Sequence, residues 1–142
     1  VPADALATLQ RLVLEAALTD RDLPGYGGHA RLPDLDLLRS WSGGPLRLDA
    51  SSVINPAVVT GLQPLVLIVT ADDLGLEAQE FGRLPYLHLR TESQPPDDVR
   101  ITLHAAIREG GGQTVELGGV SIAFRRTRNR WEVSGEPRLF SS

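Results

Sequence analysis

The residues best suited to chemistry lie on two segments of alternating apolar side chains. Leu87 and Leu89 mark the first, and Val99, Ile101, Leu103, Ala105 and Ile107 mark the second. Both read as neighbouring strands whose apolar side chains share a core face, because a one-residue slip would put one set in water. Tyr86, His88 and Arg90 then point to the opposite face, together with Arg100, Thr102, His104 and Arg108. That register expects His88 beside Thr102 and Tyr86 near His104, with about 5 Å between directly opposed Cβ atoms. Two histidines, a tyrosine and arginines on one strip suit anion binding or proton transfer. The same mixture suits a subunit interface. Two histidines with no carboxylate nearby in sequence are short of a metal ligand set, so no metal and no cofactor is assigned, and no residue is named as catalytic.

Other candidates are more local. Tyr26 and His29 sit in a glycine- and proline-rich stretch, residues 19–33, that reads as a long loop and a candidate binding loop. Arg125, Arg126, Arg128 and Arg130 cluster about a turn and form a candidate anion or partner patch. Trp41 and Trp131 read as core anchors. Asp72-Asp73 and Asp97-Asp98 read as helix-start and turn residues. The sequence holds no H-E-x-x-H, no G-x-S-x-G, no phosphate loop and no calcium-loop pattern.

Composition narrows the function classes further. The chain has 142 residues and no cysteine, which removes disulfides, thiolate metal sites and Cys nucleophiles. Every one of its 14 basic residues is arginine, so no side-chain amine is available for Schiff-base chemistry or a phosphate-loop lysine. The net charge of −4 gives no general attraction to nucleic acid. Charge is uneven: residues 1–98 carry fourteen acids and seven arginines, whereas residues 99–142 carry four acids and seven arginines. No apolar run approaches the ~20 residues of a membrane span. A start at Val1-Pro2-Ala3 suits removal of a signal peptide and equally a trimmed fragment, so the compartment stays open between export, periplasmic or extracellular, and the cytoplasm.

The elements that must position the strip can be read in order. Leu6, Leu9, Val13 and Ala16 form one stripe of a helix over about 3–18, with Pro2 at its entry. Asp34 reads as the cap of a short helix through Leu35, Leu38 and Trp41, stopped by Gly43-Gly44. Leu46, Leu48 and Ala50 alternate as a strand, Pro56 starts a turn, and Leu65 to Val69 reads as a buried strand. Thr70 caps a helix with a stripe of Leu74, Ala78 and Phe81. The remainder reads as strands, with a β-bulge at Gly118-Gly119 that resets the buried face. In the last hairpin Phe124 is expected opposite Trp131 and Ile122 opposite Val133. The whole is expected to be one domain, 1–142. Its class is α+β, with the N-terminal helix and short helices packed on one face of a curved antiparallel meander of about four strands.

This order of elements resembles the NTF2-like, or cystatin-like, α+β roll over most of the chain. That resemblance implies either a pocket enzyme of the isomerase, dehydratase or cyclase kind, or a non-enzymatic binding or dimerisation module. The enzymes of that fold carry an Asp or His inside a cone between sheet and helices, whereas the inward parity here is Val, Ile, Leu, Ala and Phe. The segments Tyr86-Leu87-His88-Leu89, Leu117-Gly118-Gly119 and the hairpin from Phe124-Arg125-Arg126 to Trp131-Glu132-Val133 also resemble a family of small uncharacterised bacterial proteins, often predicted to be exported, that implies no activity. The expected function is a non-enzymatic binding module that self-associates as a homodimer through the open sheet face. The alternatives are a pocket enzyme using histidine as general acid–base, and a structural subunit of a larger assembly.

Overall fold

The computed structural model describes residues 2–141, the side chain of Ser42 aside. Helix α1 spans Ala3–Thr19 and buries Leu9, Val13, Leu14, Ala16 and Ala17 along one stripe. It ends at Asp20, which takes up the left-handed conformation, and the backbone of residues 20 and 21 closes back on the Glu15 carbonyl. The following loop is pinned to the core: Leu23, Ala30 and Leu32 are buried, and the Leu32 N–H donates to the Ala17 carbonyl at 2.9 Å. Helix α2, Leu35–Ser42, places Leu35 and Leu38 in the same core. Asp34 does not cap it with its side chain, contrary to the expectation; the residue sits at φ 58, which turns the chain into the helix through the backbone alone.

Seven strands form one curled sheet. They are β1 (Leu46–Asp49), β2 (Val66–Val69), β3 (Arg83–Gln94), β4 (Asp98–Glu109), β5 (Thr114–Thr127), β6 (Arg130–Val133) and β7 (Arg138–Ser141). Their order is β2-β1-β3-β4-β5-β6, and β7 also pairs with β5. The expected meander of about four strands is therefore extended at both ends. β1 runs parallel to β2 and to β3, so the sheet is mixed rather than purely antiparallel. β7 comes from Arg138-Leu139-Phe140-Ser141, a stretch too short to announce itself by alternation.

β2 corrects a second expectation. Its continuous apolar run reads as a buried strand, yet only Val66 is buried, and Leu65 and Leu67 are exposed. The strand lies at the edge of the sheet, where a neighbour covers one side only.

The core sits between α1, α2 and one face of the sheet. Leu87, Leu89, Val99, Ile101, Leu103, Val120, Ile122 and Phe124 meet Leu9, Val13, Leu14 and Leu38 there. Each large side chain fully removed from water contributes roughly 1.5–3 kcal/mol before the entropy of ordering it is set against the gain. Gln10 of α1 is a polar residue inside this core, at 0% exposed. Its amide donates to the Ser52 carbonyl at 3.0 Å and to Thr91 Oγ1 at 3.1 Å, and accepts from the Ile54 N–H at 3.2 Å.

The third helix, α3 (Ala71–Phe81), begins as expected, with Thr70 Oγ1 accepting from the Asp73 N–H at 3.2 Å. It does not join the other helices. Leu74 and Ala78 form a separate small cluster with Leu84, Tyr86 and Val69, residues on the opposite face of the sheet. Arg47, which alternates away from the main core on β1, pairs with Glu77 of α3 at 2.8 Å. Helices therefore cover both faces, and α3 shields one end of the face that carries the histidines.

Candidate functional site

The strip lies on the expected face of the sheet, but two residues out of the expected register. His88 of β3 pairs directly with His104 of β4, Arg90 pairs with Thr102, and Tyr86 pairs with Ala106. The same offset occurs in the last hairpin, where Phe124 faces Val133 and Arg126 faces Trp131. Turn length sets register within a given face, and alternation alone cannot distinguish offsets of two.

The two imidazoles stack with their centroids 4.5 Å apart and their planes 7° from parallel. Tyr86, held beneath α3, lies on one side of the pair, 6.3 Å from His88. Phe140 of β7 lies on the other and presents its ring to His104 edge-on at 5.7 Å. The histidine side chains are 29% and 21% exposed, so solvent reaches both.

A carboxylate completes the group. Glu116 of β5 brings Oε1 to 4.0 Å from His88 Nε2 and Oε2 to 3.8 Å from His104 Nδ1. These distances are too long for hydrogen bonds but short enough for charge attraction. Glu116 reaches this face because of the bulge. Ala105 pairs with Gly118 and Ala106 with Glu116, which leaves Leu117 as the extra residue. Had the Ala105–Gly118 register continued unbroken, Glu116 would oppose Ile107, on the aliphatic side. Reading the two histidines by sequence proximity missed Glu116. The sequence signal was the bulge expected at Gly118-Gly119, but both glycines are paired and the extra residue is Leu117, just before them.

Burial lowers the pKa of His104 below its ordinary value of 6.5, and the neighbouring His88 charge lowers it further. Glu116 opposes that shift, and Arg90 adds to it.

The remaining strip residues form a second group. Thr102 and Ser121 are both buried, with their hydroxyl oxygens 3.0 Å apart, and Arg100 donates to Ser121 Oγ at 3.0 Å. Arg90 stands exposed beside Glu92 at 3.4 Å. Arg108 lies near α3, its Nε buried without a partner.

The other candidates fall elsewhere. Tyr26 packs against the core and over Gly28, whereas the His29 side chain is exposed, 3.3 Å from Asp20. In the basic patch, Arg125 pairs with Asp98 at 3.0 Å and Arg126 with Asp97 at 3.0 Å, so half of its charge is answered by the neighbouring turn. Arg128 and Arg130 stand exposed, with Arg128 and Asn129 at φ 54 and 65 in the tight turn. Trp41 is not a core anchor: it is exposed, with the Arg83 guanidinium 5.7 Å above its ring. Trp131 packs partly against the core and takes Arg126 over its ring at 5.9 Å.

No family model matches this chain, and neither a curated protein nor a solved structure matches it. None of the described helices is long and apolar enough to cross a membrane.

Proposed function

We propose that the protein is a non-catalytic binding module that works through the histidine-bearing face of its sheet, and that its partner there is a second copy of the chain. The observation that carries this reading is the partly exposed stack of His88 and His104, bordered by Tyr86 and Phe140, on a face that α3 covers at one end only. Aromatic side chains with a partly wet rim are the usual material of an interface. Charge supports a two-fold pairing: Arg90 and Glu116, opposite in sign, are both exposed on this face, so each can meet its counterpart across a symmetric contact. The NTF2-like resemblance agrees with a dimerisation module of this kind.

The second reading, a small-molecule enzyme with a histidine general base, draws on the proximity of Glu116 to His104. It stands second because the space between α1 and the sheet is filled by aliphatic side chains, and the imidazoles line an open face rather than an enclosed pocket.

Sedimentation velocity over a rising concentration series tests the first reading. The expected result is reversible dimerisation that Tyr86→Ala, His104→Ala and the charge reversal Arg90→Glu each weaken. A chain that stays monomeric at high concentration, or dimers indifferent to all three substitutions, overturns it.

A further inference from the structure

Three donor atoms of the kinds that divalent transition metals prefer converge from three adjacent strands. His88 on β3, His104 on β4 and Glu116 on β5 each offer one such atom, and all three lie within 4.8 Å of one another. The strands that carry them are the longest in the sheet and pair along most of their length, so their backbones are fixed relative to one another. We propose that His88, His104 and Glu116 form a binding site for a divalent ion of the zinc, nickel and copper class, one per chain.

The donor set argues for that class. Two imidazoles and one carboxylate suit zinc, nickel and copper, whereas calcium and magnesium favour oxygen-only shells. Three protein ligands leave at least one position for water or for a ligand atom from outside. Donors around a tetrahedral zinc stand about 3.3 Å apart, given bonds of ~2.05 Å. Glu116 stands 4.0 Å from His88 through Oε1 and 3.8 Å from His104 through Oε2, and the three donors lie within 4.8 Å of one another, so the side chains must draw together to reach that spacing. The parallel rings must turn so that their lone pairs converge beside Glu116, and the second torsion of histidine is soft enough to allow it. Solvent reaches both imidazoles and the carboxylate, so an ion can enter without opening the fold.

The site shares His104 and Glu116 with the face proposed for self-association, so its test must read metal binding and assembly separately. The test uses the untagged full chain, titrated by calorimetry with Zn²⁺ and by visible absorption with Co²⁺, whose d–d bands report its coordination. The expected result is one saturable ion per chain, with affinity reduced at least about tenfold by His88→Ala, by His104→Ala and by Glu116→Gln, since even an outer partner of a metal ligand is worth ~10–100-fold. Glu116→Gln is the decisive variant because it keeps size and shape at an exposed position, and circular dichroism confirms that each variant is folded. No saturable binding, half an ion per chain, or binding unchanged in folded Glu116→Gln overturns the site. Sedimentation of the same samples without metal shows whether dimerisation persists when metal binding fails, which separates the two proposals.

Discussion

Phe140 occupies the space that a side chain on Gly119 would need. A Cβ built on Gly119 would stand 2.8 Å from Phe140 Cζ and would also run into the Leu103 carbonyl oxygen. The bare backbone at this point lets β7 lay its aromatic ring over β5 and bring the ring edge to His104.

Gly119→Ala is therefore expected to destabilise the protein by about 1–3 kcal/mol, the usual cost of overpacking. Gly111→Ala is the matched control, because nothing lies within 4 Å of its added Cβ. It should change stability by less than about 0.5 kcal/mol. Urea denaturation of both variants checks the contrast, and equal losses would contradict the close approach.

Gln10→Leu tests the buried amide. Leucine keeps the bulk of the side chain but leaves the Ile54 N–H, the Ser52 carbonyl and the Thr91 hydroxyl without their Gln10 partners. The expected loss is about 1–3 kcal/mol despite the gain in apolar surface. Hydrogen exchange at the Ile54 amide should quicken with it. Unchanged stability would mean that water takes over these groups.

The pH dependence follows from His104. Its proton affinity is lower in the folded chain than in the unfolded one, first because of burial and then because of the His88 charge, with Arg90 adding and Glu116 opposing. Between the folded value and 6.5 the unfolded chain binds more protons, so stability rises with pH through that window. The contribution is complete above 6.5 and lost as pH falls to the folded value. Chemical denaturation from acid to neutral pH should show this slope in the native chain and a shallower one in His104→Gln. An identical slope in both would assign the effect to other groups.

Much of the frame was legible in the sequence. The stripe of Leu9, Val13 and Ala16, the Thr70 cap and the two-residue alternation around Ile101 each reflect a local rule, and each element forms where that rule puts it. The face carrying His88 and His104 followed from the same alternation. Their exact partnership did not, because an offset of two residues preserves every buried side chain. The side chosen by α3 was hidden for a different reason: a helix with one apolar stripe fits either face of a sheet, and the tie between Arg47 and Glu77 is visible only in three dimensions. Trp41 shows the limit of composition, since its neighbours in space, not its type, leave it in water.

The pairing of β1 with β3 joins Leu48 to Leu87, far apart in the chain, whereas β3, β4 and β5 are linked by short turns. Closing a long stretch of chain costs more entropy than closing a hairpin, so the two halves of the sheet assemble by routes of unequal difficulty. The part bearing the imidazoles draws on near neighbours. The parallel part depends on residues 50–82 bringing the chain back to that ladder, and so carries the larger closure cost of the two.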